Sequence, residues 1–96
     1  MDIKTVGVIG AGQMGNGIAH VMALAGYDVT LNDLSQDALT AALAKIEKNM
    51  VRQVSRNLIT EADMQAGLAR ISPALDVAAL GTADLVIESA TENEDI

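Results

Sequence analysis

Gly10-Ala11-Gly12-Gln13-Met14-Gly15 joins two apolar segments, and the rest of the chain reads outward from it. Upstream, Ile3-Lys4-Thr5-Val6-Gly7-Val8-Ile9 is rich in β-branched residues, the composition of a buried parallel strand. Downstream, Ile18, Ala19, Met22, Ala23 and Ala25 recur at helical spacing until Gly26 stops the run. A strand, a GxGxxG turn and a helix together make a dinucleotide cradle, in which each glycine has a separate task. Gly10 permits the sharp turn, Gly12 lets a pyrophosphate approach bare backbone, and Gly15 lets the helix lie close to the strand. The unpaired amides and positive dipole end at the helix start then face the phosphates.

A lone GxGxxG also occurs in ordinary turns, so the downstream segment carries much of the weight. Tyr27-Asp28-Val29-Thr30-Leu31-Asn32 reads as a second strand that ends at Asp33. Asp33 lies 18 residues beyond Gly15, close to the roughly 20 expected of an acid that holds an adenosine ribose. A carboxylate accepts hydrogen bonds from the ribose 2′- and 3′-hydroxyls and repels a 2′-phosphate. Asp33 therefore favours NAD over NADP. The plainer reading, an aspartate that merely occupies a turn between Asn32 and Leu34, leaves the offset unexplained.

The 96 residues allow one small domain, and with a single aromatic, Tyr27, its core must be built from Ala, Val, Leu, Ile and Met. A net charge of −7 disfavours nucleic acid and anionic membranes as partners. The absence of cysteine excludes disulfides, thiolate metal sites and thiol catalysis, and a single histidine disfavours a zinc centre. The N-terminal apolar run is short and broken by Gly7, Gly10 and Gly12, which fits neither a signal peptide nor a membrane span. A cytoplasmic protein is the expectation.

Beyond Asp33, Ser35 is placed to cap a long helix, with Asp37 in its first turn. Leu39, Leu43, Ile46, Met50 and Val54 form its apolar face, while Lys45, Lys48, Arg52 and Arg56 form a basic stripe on another. The stripe reads either as a solvated face or as an anion site. Thr60-Glu61-Ala62-Asp63 resembles a capping box for a short helix through Met64 and Leu68. Arg70-Ile71-Ser72 is a brief candidate third strand. Ser72-Pro73 looks like the cap and first residue of another helical turn, running through Leu75 and Ala79 to Gly81. Ala83-Asp84-Leu85-Val86-Ile87-Glu88 then reads as a fourth strand, succeeded by a polar, acidic tail.

Strands alternating with helices imply right-handed crossovers and a parallel sheet. The expected fold is α/β, half of a Rossmann-type doubly wound sheet, with about four strands ordered 3-2-1-4 and flanking helices. Its ligand crevice lies at the carboxyl ends of strands one and four, which puts Ser89 to Glu92 opposite Asp33 and makes that tail a candidate nicotinamide-side contact.

The run VGVIGAGQMGNGIAHVMALAGYDVTLND, with TADLVIESATENEDI near the end, resembles the NAD-binding domain of 3-hydroxyacyl-CoA dehydrogenases over essentially the whole chain. The resemblance implies hydride transfer between NAD and the C3 hydroxyl of a short acyl-CoA. It implies that Gly10, Gly12, Gln13, Met14 and Gly15 border the cofactor and that Asp33 holds its ribose. By the same resemblance, Ala90, Thr91 and Glu92 approach the nicotinamide half. Residues on the long helix contact the coenzyme A moiety in this family, and Asn49 and Arg56 match those positions, with Arg52 beside them. Residues 1–96 would then form a single N-terminal subdomain ending before the catalytic His–Glu pair and the helical C-terminal part, and would be inactive alone. His20 is not the catalytic histidine and reads as a packing or surface residue.

A rival reading makes the chain a truncated or engineered Rossmann half-domain that binds nucleotide weakly or not at all. Either way its fourth strand is an open edge, which favours a homodimer or strand-exchanged oligomer through Leu85 to Ile87. A third reading, a 3-hydroxyacid dehydrogenase relative using NADP, is weakened because Leu34 and Ser35, not a basic residue, come after Asp33.

Overall fold

A computed structural model of the chain describes residues 3–89. Its elements are β1 (Thr5–Ile9), α1 (Gln13–Leu24), β2 (Asp28–Asn32), α2 (Gln36–Ser55), α3 (Glu61–Ala69), β3 (Ile71–Ala74), a 3₁₀ turn (Val77–Leu80) and β4 (Leu85–Glu88). The sheet runs β3-β2-β1-β4, and every pairing is parallel. The order read from the sequence therefore holds, with β1 inside the sheet and β4 at one edge.

Register explains which side chains make the core. Val6 pairs with Val29, Val8 with Leu31 and Val29 with Ile71, so these residues project from one face of the sheet. All of them are buried, and they form one cluster with Ala19 and Ala23 of α1, Leu39, Ala42, Ile46 and Met50 of α2, and Met64 of α3. Alanines on α1 keep that helix close to the sheet, while the larger residues of α2 fill the space farther out. The opposite face carries Gly7, Thr30 and Ser72 in register. There the 3₁₀ turn supplies Leu80, whose side chain lies 2.7 Å from where a Cβ on Gly7 would stand. Gly7 is thus a packing requirement of the first strand.

The helix starts obey their sequence signals. Ser35 Oγ accepts the Ala38 amide at 3.1 Å. Thr60 and Asp63 form a reciprocal capping box, with both bonds at 3.0 Å. The Thr60 backbone N–H and hydroxyl hold the Asp63 carboxyl below the usual aspartate value. At the far edge, Asp84 accepts the Lys4 and Thr5 amides at 2.8 and 3.2 Å and clasps the start of β1 to the start of β4. Those amides likewise lower its carboxyl.

One expectation fails. Ser72 and Pro73 belong to β3 and do not open a helix, and the turn after them is capped by Asp76, which accepts the Ala78 amide. Arg70 and Ala74 present their carbonyls to the amides of Val29 on β2 and of Asp33 just past it. Residues of that parity face β2, so the N–H-less nitrogen of Pro73 faces outward, where an edge strand needs no donor. The fourth strand is also shorter than expected, and Leu85 and Val86 are 38% and 44% exposed.

Candidate functional site

The glycine turn leaves β1 at its carboxyl end. Gly10 has a φ of 101°, which a side chain would oppose, and its N–H donates to the Asn32 carbonyl at 2.8 Å. The next amide, Ala11, donates to Asp33 Oδ2 at 2.9 Å. Asp33 Oδ1 accepts the Ser35 amide at 3.0 Å. The carboxylate expected to grip a ribose therefore also ties the turn to the end of β2. Each oxygen keeps a further lone pair for a hydroxyl donor. A cavity of about 190 Å³ opens beside it, lined by Ile9, Gly10, Asn32, Asp33 and Leu34.

Gly15 shows why the turn needs its last glycine. A Cβ there would stand 1.7 Å from the Gly10 carbonyl oxygen and 2.8 Å from Ser89 Oγ. Ser89, only 3% exposed, lies just past β4 and braces the turn from behind. Its hydroxyl donates toward the carbonyls of Ile9 at 2.8 Å and Gly10 at 3.1 Å. Sequence reasoning places Ser89 in a strand-exit tail expected at the nicotinamide side and misses this brace. A serine between a strand and an acidic tail carries no local mark of it.

At Gly12 the N-cap of α1 has no side-chain hydrogen bond, and the first turn of the helix contains no acid. Its leading amides thus face the turn without an internal counter-group. Together with the Asp33 carboxylate, this arrangement fits NAD: bare amides for a diphosphate, and a carboxylate one strand over for a sugar. Gln13 and Met14, also expected at the cofactor, line a separate, nearly apolar hollow of about 470 Å³ between α1 and Ile87 of β4. Ala90, Thr91 and Glu92 lie outside the described residues.

A second locus lies between α1 and α2. Asn49, Arg52 and Arg56 share a cavity of about 210 Å³ with His20, Gln53 and Leu58. The other two basic residues of the stripe, Lys45 and Lys48, are not in its lining. His20 Nε2 lies 2.7 Å from Gln53 Oε1. Sequence spacing places His20 on α1 among apolar neighbours, and the packing of α1 on α2 brings it to the arginines. Among the described residues no cluster of acids and histidines could hold a metal, and no helix is long and apolar enough to cross a membrane.

Comparison with known proteins agrees with these features. Residues 5–96 match the family described as 3-hydroxyacyl-CoA dehydrogenase, NAD binding domain. A 3-hydroxybutyryl-CoA dehydrogenase of Bradyrhizobium diazoefficiens is 55% identical over 98% of the chain, which covers 32% of that relative. The 3-hydroxyadipyl-CoA dehydrogenase of Escherichia coli is 42% identical over the whole chain, which covers 20% of it. Among solved structures, (S)-3-hydroxybutyryl-CoA dehydrogenase from Ralstonia eutropha superposes with a TM-score of 0.91 at 41% identity, over 98% of this chain and 33% of that one. The chain thus spans a third or less of the length of these relatives. The matches do not favour a module without a nucleotide function, and they support NAD as the cofactor. On sequence, strand order and family match together, the chain belongs to the 3-hydroxyacyl-CoA dehydrogenases, as their NAD-binding domain.

Proposed function

We propose that this chain is the cofactor-holding part of a dehydrogenase acting on a short 3-hydroxyacyl-CoA such as 3-hydroxybutyryl-CoA. NAD, when bound, supplies the hydride acceptor for the substrate's C3 hydrogen. The residues of this chain bind and orient it. Gly10, Gly12, Gln13, Met14 and Gly15 border the cofactor, Asp33 holds its adenosine ribose, and Ala90, Thr91 and Glu92 contact the nicotinamide half. The observation that carries this reading is the Asp33 carboxylate, 2.9 Å from the Ala11 amide, beside a helix start with no side-chain cap. Calorimetry with NAD and NADP tests it. NAD should bind the chain at least about tenfold more tightly than NADP, and Asp33→Asn should reduce that preference. Equal affinity for the two cofactors would refute the assignment of Asp33.

Asn49, Arg52 and Arg56 form the contact for the coenzyme A moiety. In the whole enzyme, replacing both arginines by alanine should raise the acyl-CoA KM about tenfold or more and leave the NAD KM in place. An unchanged acyl-CoA KM would remove them from the site. The one histidine, His20, faces Gln53 in the α1–α2 cavity. On this reading the hydroxyl proton goes to the His–Glu pair that the family resemblance implies, which no residue of this chain matches. The chain alone should show no acetoacetyl-CoA-dependent NADH oxidation.

We place the protein in the cytoplasm, where the NAD pool is available to it. The exposed Leu85 and Val86 on the edge strand favour a homodimer or strand-exchanged oligomer through residues 85–87. Light scattering at high micromolar concentration would decide this, and a monomer mass would end the proposal.

A further inference from the structure

The cavity between α1 and α2 contains one group that an anion contact does not require and that a pH-dependent contact does. Its polar lining is Asn49, Arg52, Gln53 and Arg56 from or beside the end of α2, and His20 from the middle of α1. No acid lines it. On the elements packed against α1, the other ionisable residues are Asp37, Lys45, Glu47 and Lys48 of α2, Glu61 and Asp63 of α3, and Asp28 of β2, and none faces this cavity. α1 itself carries no ionisable side chain except His20. The two guanidinium groups are permanent cations, so the fixed charge lining the cavity is positive.

The hydrogen bond to Gln53 sets how His20 can respond. Gln53 Oε1 is an acceptor, so at 2.7 Å it takes the Nε2 proton. In neutral imidazole this leaves Nδ1 bare, and a second proton can be added at Nδ1 without breaking the bond to Gln53. The ring is therefore held in one orientation in both charge states. At about 210 Å³ the cavity has room for a single phosphoryl group among these side chains.

We propose that His20 makes this a proton-linked phosphate site: a phosphoryl group of coenzyme A seated between Arg52 and Arg56 draws a proton onto His20 Nδ1. The inference rests on the assignment of Asn49, Arg52 and Arg56 to coenzyme A and adds a role for a residue which that assignment leaves idle. Its sign comes from linkage. An anion in the cavity that His20 lines favours the protonated ring, so binding takes up a proton and tightens as pH falls through the imidazole range. The phosphoryl group can be the 3′-phosphate or the diphosphate, which are chemically alike at this site.

Because the chain has one histidine, its imidazole signals can be tracked by NMR without ambiguity. The pH titration of His20 is recorded alone, with coenzyme A, and with dephospho-coenzyme A. The expected result is an upward move of the titration midpoint on adding coenzyme A. A shift with coenzyme A alone assigns the 3′-phosphate, and a shift with both assigns the diphosphate. In parallel, the gain in coenzyme A affinity from pH 8 to pH 6 should be about threefold to tenfold larger in the parent chain than in His20→Gln. Both proteins share the titration of the ligand's own phosphate, so the difference isolates His20. Binding that Arg52→Ala and Arg56→Ala weaken, with an unmoved His20 midpoint and equal pH dependence in His20→Gln, would overturn this inference and leave the coenzyme A assignment standing. No binding at either pH would overturn both.

Discussion

The two helices that come after the first two strands begin in opposite ways. α2 starts on Ser35, whose hydroxyl accepts the Ala38 amide, and has Asp37 in its first turn. α1 starts on Gly12, with no side-chain acceptor and no acid in its first turn. α3 and the 3₁₀ turn side with α2, capped by Thr60 and Asp76. A side-chain cap is worth about 1 kcal/mol, so α1 forgoes a stabilisation that the other starts use. On the proposed function, the amides kept for a ligand are those at the start where, among the described residues, a glycine stands in place of Ser, Thr or Asp. Asp33 and Ser89 supply the missing local order from outside the helix, one pulling on the Ala11 amide and the other bracing the Ile9 and Gly10 carbonyls.

The sharpest way to break the contrast is Gly15→Ala. Its Cβ would meet the Gly10 carbonyl oxygen at 1.7 Å, a backbone atom that cannot move without dismantling the turn. NAD affinity should fall by about a hundredfold or more and the thermal midpoint should drop, since overpacking of this kind typically costs about 1 to 3 kcal/mol. Gly12→Ala separates the two effects. Gly12 has φ −70° and ψ −164°, an extended conformation open to other residues, so the fold should persist while NAD binding weakens by about tenfold. Calorimetry and a melting curve on both variants distinguish a glycine kept for packing from one kept for the ligand.

Ser35→Ala sharpens the other side. It should lower stability by about 1 kcal/mol and leave NAD affinity unchanged, because this cap serves only α2. A loss of NAD binding comparable to that of Gly12→Ala would show that the two starts are not independent.

Acid gives the smallest effect. The carboxyls of Asp63 and Asp84 lie below the ordinary value of 3.8 because backbone amides donate to them. A group lowered in the folded state stabilises it above the unfolded value, and that contribution is lost as pH falls through the lowered one. Below pH 3.8, amide exchange at Thr60, Lys4 and Thr5 should accelerate, while Ala38, capped by a hydroxyl that does not titrate there, should stay protected. Uniform acceleration at all four amides would argue for global unfolding instead.

Much of this architecture is legible in the residues themselves. The strand order, the Ser35 cap, the Thr60–Asp63 box and the apolar face of α2 all rest on signals between residues close in sequence. The position of Asp33 just past β2, hydrogen-bonded to the glycine turn, is legible as well, because its offset from the turn spans one helix and one strand of nearly invariant length. Pro73 misleads for the same reason that local signals work. Ser-Pro is a helix-start pattern, and only the sheet shows that β3 is an edge whose outward nitrogen needs no proton.

What the chain by itself determined is the alternation of strands and helices, the place of the glycine turn and the position of Asp33 one strand over. Each of these arises from periodicity, capping and the conformational freedom of glycine, which act over a few residues. Tertiary structure alone decided that Leu80 fills the space above Gly7, that Ser89 braces a turn almost the full length of the chain before it, and that His20 joins Arg52 and Arg56. Those contacts depend on sheet register and on how α1 lies against α2. Such packing joins residues far apart in the chain and leaves no trace in the pattern of their neighbours.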